Sequence, residues 1–161
     1  MSDSIDQRVL DLGLVLPAPI QVPSGITVPL LMVKVIGTRA LVSGHGPQND
    51  DGSIAEPLGQ VGDAVTQEQA IVAARKVALT MLGTLQRELG SLDKIKSWVN
   101  VFGMVNSAPG FTGQTPVINS FSETIIEIFG EEKGMAARSA VGMGGLPFGI
   151  PVEVQAELEL Y

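Results

Sequence analysis

Arg138 is the residue of this chain whose type and surroundings most clearly suggest chemistry. It lies in the run Ala137-Arg138-Ser139-Ala140-Val141-Gly142-Met143-Gly144-Gly145-Leu146-Pro147, in which small residues surround the arginine. A guanidinium beside small residues and exposed backbone N–H groups suits a planar carboxylate, which it can bind through two parallel hydrogen bonds. The alternative is that Arg138 is a surface charge at the start of a strand and forms an ion pair with a glutamate.

The segment that follows, from Pro151 to Leu160, alternates strictly between apolar and polar residues. A period of two predicts a β-strand with one buried face. The polar side of this strand carries Glu153, Gln155, Glu157 and Glu159. We expect Glu153 to lie on the polar side of a strand adjacent to that of Arg138, and the acidic strand to line an interface or a pocket.

The single histidine, His45, is in the sequence Gly44-His45-Gly46-Pro47. Flanking glycines let the backbone approach a ligand closely, although turn formation explains them equally well. His45 could be an acid–base group near neutral pH, or a loop histidine that is hydrogen-bonded to the backbone. No carboxylate or nucleophile partner is near it in sequence. One histidine and no cysteine exclude thiolate catalysis and disulfides, and we expect no metal site.

Composition predicts a globular protein that does not bind nucleic acid in general. Of the 161 residues, 45% are hydrophobic and 17% are charged, which is typical of a folded chain. The net charge of −7 repels phosphate backbones, and 4% aromatic residues are too few for a base-stacking platform. The N-terminus is acidic and unlike a signal peptide, and no apolar run is long enough to span a membrane. We therefore expect a cytoplasmic protein with no nucleic-acid or membrane partner.

Two long helices are predicted to position the candidate residues. Thr66 and Gln69 form a capping box at the start of the first, which has apolar residues at three- and four-residue spacing and ends at Gly90. The second is predicted to begin with Thr115 as N-cap and Pro116 at the first helical position. It carries an apolar face and ends at Gly130.

The remaining elements are a short helix and five strand candidates. The helix runs from Ser4 to Leu12, and residues 28–36 and 39–43 form a hairpin around Gly37-Thr38. One strand follows each long helix, and the acidic strand comes last. This order predicts an α/β (α+β) fold, in which a mixed sheet of four or five strands has two long helices on one face. Oligomerisation is then the expected way to cover the other face.

These segments together resemble the YjgF/RidA family, formerly described as endoribonuclease L-PSP-like. The matching segments are Leu41-Val42-Ser43-Gly44-x-x-Pro47, the first long helix, Ile95-Lys96, Ala137-Arg138-Ser139-Ala140-Val141, Leu146-Pro147 and Val152-Glu153-Val154. They cover about residues 28 to 160, in the order of the family, and are specific jointly rather than singly. The resemblance implies a chorismate-mutase-like fold in one domain over residues 1–161, in which 1–27 are an N-terminal extension with a short helix. It also implies a homotrimer whose sheets form a central barrel, with three ligand clefts between subunits.

The resemblance further implies a chemistry and a set of site residues. The best-defined reaction of the family is hydrolysis of reactive 2-imino acids, or their enamine forms, to 2-keto acids and ammonia, without a cofactor. Arg138 corresponds to the arginine that binds the substrate carboxylate, and Glu153 to the carboxylate that orients or activates the attacking water. Gly44 corresponds to a backbone contact beside the cleft. Because an imine carbon is already electrophilic, positioning and a hydrogen-bonded water can supply much of the rate.

Three positions depart from the deaminases of the family. Leu30 stands where they have a tyrosine in the first strand, and Ala140 stands where many have a cysteine, keeping only the backbone N–H. The asparagine of the family's second helix corresponds to Ser122 without a gap, or to Asn119 if a gap is allowed. We therefore expect the carboxylate site to be retained and the substrate to differ from the usual one.

Two classes of function are open at this stage. The first is an imine deaminase or a related small-molecule hydrolase with a divergent pocket. The second is a non-catalytic trimer that binds a small carboxylate metabolite. Ribonuclease activity, which is attributed to some members of the family, is disfavoured by the charge and the aromatic content.

Overall fold

A computed structural model describes residues 4–161, so the first three residues of the predicted N-terminal extension lie outside the described residues. The helices are α1 (Ile5–Asp11), α2 (Gln67–Leu89), α3 (Gln114–Phe129) and α4 (Glu131–Gly134). The strands are β1 (Val33–Ile36), β2 (Arg39–His45), β3 (Ile95–Asn106), β4 (Ala137–Met143) and β5 (Val152–Leu160). Single 3-10 turns lie at Leu92–Lys94 and Pro147–Gly149. This is the predicted mixed α/β arrangement with a short N-terminal helix.

The five strands form one mixed sheet in the order β1-β2-β5-β3-β4. Strands β3 and β4 are parallel, and the other neighbours are antiparallel. The prediction that the strand of Glu153 is adjacent to that of Arg138 is wrong, because β3 lies between β4 and β5. The physical reason is the burial of β5. A strand with one continuous apolar face is most stable in the middle of the sheet, because both of its edges are paired there.

The long helix α2 begins and ends as its sequence predicts. Thr66 Oγ1 accepts a hydrogen bond from the Gln69 N–H at 3.2 Å, and Gln69 Oε1 accepts one from the Thr66 N–H at 2.9 Å. This capping box satisfies two backbone donors at the helix start. Gly90 ends the helix with a φ of 84°, in the left-handed region that favours glycine.

Two elements begin later or earlier than predicted. Strand β1 begins at Val33 rather than at residue 28, because Pro29 has no N–H and the Leu30 N–H turns back to the Val28 carbonyl at 2.9 Å. Helix α3 begins at Gln114 with Gly113 as its N-cap, so Thr115 is not the cap. The Gln114 side chain instead closes the preceding loop, since its Nε2 donates to the Phe111 carbonyl at 2.8 Å.

The core lies between one face of the sheet and the helices α2 and α3. Its largest side chain, Trp98 of β3, packs edge-on against Phe121 and Phe129 of α3, with ring centroids 6.0 and 5.8 Å apart. On the opposite face of the sheet, side chains such as Phe102 and Met104 are only half-buried. The predicted two-helix layer is thus confirmed.

The N-terminal segment before β1 is fixed across α2. The Asp6 carboxylate accepts hydrogen bonds from Gln86 Nε2 at 2.9 Å and from Ser91 Oγ at 2.6 Å. Farther along, Arg87 Nη1 donates to the Pro17 carbonyl at 2.8 Å. Gly83 is needed at this crossing, because a Cβ there would lie 2.9 Å from the Pro17 carbonyl oxygen. The segment therefore follows a defined path toward the end of β2.

In the range 4–161, no helix combines the length and the apolar character that crossing a bilayer requires.

Candidate functional site

Arg138 is positioned by two polar side chains of α3. Its Nη1 donates to Ser122 Oγ at 3.0 Å, and its Nη2 donates to Asn119 Oδ1 at 2.9 Å. Asn119 and Ser122 are three residues apart, so they lie on the same face of the helix. The two residues that were alternatives in sequence therefore both contact the arginine, and they fix the plane of its guanidinium.

Arg138 has no acidic partner among residues 4–161. The ion pairs in that part of the chain join Arg39 to Glu157 at 2.6 Å and Arg75 to Glu127 at 3.3 Å. The interpretation of Arg138 as one half of a surface ion pair is therefore wrong. A guanidinium has five N–H donors, and the contacts with Ser122 and Asn119 use two of them. A half-buried cation with unused donors favours binding of an external anion.

Ala140 lies two residues beyond Arg138 on the same strand, and it pairs with Gly103 of β3. Residues two apart on a strand point to the same face, so Ala140 shares the helix side of the sheet with Arg138. Helix α3 approaches closely here, because a Cβ on Gly103 would lie within 2.8 Å of the Ile118 side chain.

Glu153 and Gly44 form a second group of predicted site residues. The pairing of β2 with β5 shifts register between Val42 and His45, so the backbone bulges at Ser43 and Gly44. The carboxylate of Glu153 lies directly over the Cα of Gly44, in space that a Cβ would occupy. Desolvation by burial raises the pKa of Glu153 above its usual value. In its ionised form, a carboxylate with a raised pKa is a better proton acceptor than an ordinary one.

Glu153 is at the wall of a cavity of about 350 Å³, which sequence reasoning did not predict. Apart from Glu153, Gln48 and the backbone of Gly44 and Gly46, its walls are apolar. The apolar residues come from the N-terminal segment, the 47–54 turn and the loop before β5; they include Ile20, Val22, Val28, Leu30, Ile54 and Phe148. Leu30, which replaces the family tyrosine, is therefore part of this wall.

A sequence signal for this wall exists in the N-terminal extension. Ile20 and Val22 are two residues apart in a segment that prolines keep extended, so their side chains point to the same side. That spacing indicates an apolar surface, but it does not indicate which part of the molecule the surface faces.

His45 is buried behind Gly44, and 2% of its surface is exposed. Its Nδ1 lies 2.6 Å from the Ser43 carbonyl, which accepts a hydrogen bond from it and leaves Nε2 unprotonated in the neutral ring. Desolvation lowers the pKa of His45 from 6.5 to about 4, against the opposing effect of the Ser43 carbonyl; the positive charge of Arg87 lowers it further. His45 is therefore bonded to the backbone, as in the second alternative, with a neutral ring at physiological pH. It is not a loop residue, because β2 extends to His45 rather than ending at residue 43.

The structure does not bring Arg138 and Glu153 together within one chain. Arg138 pairs with the buried Val101 on β3, and Glu153 pairs with Met104 on the same strand. Val101 and Met104 are three residues apart, so their side chains lie on opposite faces of the strand. The two side chains therefore point to opposite faces of the sheet. They are also separated by about 10 Å along the strand direction (three residues) and by about 10 Å across the sheet (two strand spacings).

No cluster of three metal-ligating side chains occurs within residues 4–161.

Comparison with known proteins identifies relatives of the whole fold. No protein-family model matches the chain. The protein TCP17 of Trypanosoma cruzi is 44% identical over 124 residues, which are 77% of this chain and 76% of TCP17. The protein Atu1372 of Agrobacterium tumefaciens, of unknown function, is 35% identical, and its crystal structure superposes with a TM-score of 0.85 over 98% of this chain and 92% of its own.

A structure from Shewanella oneidensis, described as that of an endoribonuclease candidate, has the same fold. It is 24% identical, and its TM-score is 0.85 over 98% of this chain and all of its own. A structure from Entamoeba histolytica, described as that of an endoribonuclease L-PSP candidate, has a similar fold; it is 19% identical, with a TM-score of 0.55 over 91% of this chain and 95% of its own. The chain is thus a relative of TCP17 and Atu1372, and it has the fold of the endoribonuclease L-PSP-like structures, which is the fold that its resemblance to the YjgF/RidA family implies. The N-terminal segment is part of the fold shared with Atu1372, because that match extends over nearly the whole chain.

Proposed function

We propose that this protein is a small-molecule hydrolase that converts 2-imino acids, or their enamine tautomers, to 2-keto acids and ammonia. The observation that carries the proposal is the guanidinium of Arg138, which Ser122 and Asn119 orient and which has no carboxylate partner in residues 4–161. A planar cation with free donors matches the one group that every 2-imino acid carries, its carboxylate.

The reaction needs no redox partner. Water adds through its oxygen to C2 of the protonated imine, and one of its protons passes to a base, which gives a tetrahedral carbinolamine. The base then returns this proton to the nitrogen. Ammonia leaves as the C–N bond breaks, and the C=O bond forms as the hydroxyl proton is released to solvent. The protein must therefore hold the carboxylate, position one water and accept one proton.

Glu153 is the proposed base. Its carboxylate is half-buried over Gly44, and desolvation raises its pKa, so it is more basic than an exposed glutamate. We expect turnover to be lost as the pH falls through this raised pKa, because the protonated acid cannot accept a proton from water.

We further propose that the complete site forms between copies of the chain in a homotrimer. Arg138 and Glu153 of one chain point to opposite faces of the sheet, so they cannot contact the two ends of one small acid. A cleft between two copies can combine Arg138 of one with Glu153 of its neighbour. The half-buried side chains on the helix-free face of the sheet are the surface expected at such a contact.

The test is an imine assay on the wild type and the variant Glu153→Gln. With 2-aminoacrylate generated in situ, the wild type should accelerate formation of pyruvate. Glu153→Gln keeps the shape of the side chain but cannot accept a proton, so turnover should fall by about a hundredfold or more. Its binding of 2-ketobutyrate should stay nearly unchanged, because the carboxylate ligand is Arg138.

A protein that binds 2-ketobutyrate through Arg138 and accelerates no imine hydrolysis would be a non-catalytic carboxylate binder. That result would contradict the proposed reaction and keep the proposed ligand class.

A further inference from the structure

We propose that the substrate of this protein has a bulky apolar side chain, as in the imino and keto acids derived from leucine, and that the N-terminal segment selects it. The inference rests on the proposed function, because it concerns the same site. It starts from the cavity beside Glu153, which has one acidic side chain at its wall and a lining that is otherwise largely apolar.

The chemistry of a 2-imino acid directs its side chain into this cavity. The carboxylate carbon carries two oxygens and C2, so it has no further substituent. The side chain therefore leaves from C2, the carbon that the water bound by Glu153 attacks. A smaller cavity of about 150 Å³ lies beside Arg138, at the carboxylate end of the substrate.

The cavity beside Glu153 has the size and lining of a small-ligand pocket. Its volume of about 350 Å³ is near the lower limit of about 300 Å³ for small-molecule sites. A side chain of one methyl group would leave most of this volume to water against apolar walls. A branched or aromatic side chain would displace that water, which is the favourable process.

The N-terminal part of the wall is held in a defined position. The Ala18 N–H donates to the Asp50 carbonyl and the Gln21 N–H to the Gly52 carbonyl, both at 2.9 Å. The Gln21 side chain adds a third bond to the Asp51 carbonyl at 2.7 Å. These bonds fix Ile20 and Val22 on one side of the cavity.

Phe148 contributes a second, independent sign of selection. It is a non-glycine residue with a φ of 59° and a ψ of 12°, in the left-handed region. This conformation is unfavourable for an L-residue, and such strain is concentrated at ligand sites. Here it accompanies a phenyl ring that lines the cavity.

The test compares two keto acids, 4-methyl-2-oxopentanoate and pyruvate, by calorimetric titration of the full chain. Since one methylene in an apolar pocket changes discrimination by about 10- to 200-fold, the longer acid should bind at least about tenfold more tightly. Val22→Phe fills the cavity and should lower this preference by about tenfold or more. Val15→Phe is the matched control, because Val15 is in the same segment, is 56% exposed and does not line the cavity.

Ile54→Phe fills the cavity from a different part of the wall and should act as Val22→Phe does. Equal binding of the two acids, or equal effects of Val15→Phe and Val22→Phe, would overturn the inference. If the cavity instead holds a side chain from a neighbouring copy of the chain, Val22→Phe should change the oligomeric mass but not the preference between the two keto acids. That result would overturn the inference too.

The two proposals fail separately. If the longer keto acid binds preferentially but no imine is hydrolysed, the ligand class is right and the proposed reaction is wrong. If 2-aminoacrylate is hydrolysed but both keto acids bind equally, the reaction is right and the inference about the side chain is wrong.

Discussion

At the scale of the residue, the planar shape of Arg138 matters as much as its charge. Arg138→Lys keeps one positive charge but loses the fork that contacts Ser122 and Asn119 and leaves donors for a ligand. Hydrogen bonds to charged groups contribute about 1.5–3 kcal/mol each. We therefore expect Arg138→Lys to weaken binding of 2-ketobutyrate by about tenfold or more, and Arg138→Ala to weaken it further, in calorimetric titrations.

The matched control is Arg75→Lys, since Arg75 is an exposed arginine of α2 that pairs with Glu127. Its variant should bind 2-ketobutyrate as the wild type does. Unchanged binding by Arg138→Ala would contradict the assignment of Arg138 as the carboxylate ligand.

His45 makes the stability of the fold depend on pH in a predictable direction. The pKa of its buried ring is lowered from 6.5 to about 4, so between these values the unfolded chain binds a proton that the native chain does not. Stability therefore falls as the pH falls through this window, by about 3 kcal/mol when it is fully crossed. Above pH 6.5 both states are neutral at this residue, and the effect disappears.

Urea unfolding of the wild type and His45→Gln at about pH 7 and about pH 4.5 tests this prediction. Both proteins share all carboxylates, so the difference between their pH dependences reports on His45 alone. We expect the wild type to lose about 2–3 kcal/mol more than the variant. At pH 7, His45→Gln should keep any imine hydrolysis within a few-fold of the wild type, because Nδ1 is bonded to the Ser43 carbonyl and the ring is buried. Identical pH dependences would show that the ring is accessible to protons in the native state.

At the scale of the element, the bulge in β2 determines where Glu153 lies. Gly44 leaves the space that the Glu153 carboxylate occupies, so Gly44→Ala must displace that carboxylate. The displaced group is the end of a flexible side chain, and the fold should tolerate the change. We expect Gly44→Ala to lower imine turnover by about tenfold or more, while its melting temperature stays within a few degrees of the wild type.

Gly144→Ala is the appropriate comparison for this variant. Gly144 lies just beyond β4, and a Cβ there would have no neighbour within 4 Å. It should keep both turnover and melting temperature. Equal turnover in Gly44→Ala and the wild type would show that the position of Glu153 is not important for the reaction.

The sequence was sufficient to predict elements whose signals are local and periodic. The alternation of β5 and the capping box of α2 both appear in the structure, since each depends on residues a few positions apart. Strand order is different, because β5 is placed between β2 and β3 by long-range pairing. The start of α3 was misplaced for a related reason: Gln114 bonds to the preceding loop, a contact that helix-cap preferences do not include.

The candidate site also divides into residues that local sequence patterns indicate and residues that only long-range contacts bring together. Motifs indicate Arg138, Glu153 and Gly44 as candidates, and the alignment of α3 leaves Ser122 and Asn119 as alternatives, whereas in the structure both contact Arg138. The apolar wall from Ile20 to Leu30 was missed, because its partners are distant in sequence and only the path of the N-terminal segment over α2 brings them together.

At the scale of the whole molecule, the exposed sheet predicts the assembly. Sedimentation at micromolar concentration should give three times the chain mass of 16.9 kDa. The expectation follows from a site whose two halves point away from each other in one chain, and from apolar side chains such as Leu31 and Ile36 that are 65% and 55% exposed. A monomer or a dimer would contradict the trimer and the cleft between subunits.

The opposite orientation of Arg138 and Glu153 has a genetic consequence. If each cleft takes its arginine from one subunit and its glutamate from the next, Arg138→Ala and Glu153→Gln are defects in different halves of the same site. Two inactive alleles expressed together would then complement each other, since random mixing places both native residues in about a quarter of the clefts. Mixing the purified variants under exchange conditions should restore about that share of the wild-type activity, whereas a site contained within one chain would stay inactive.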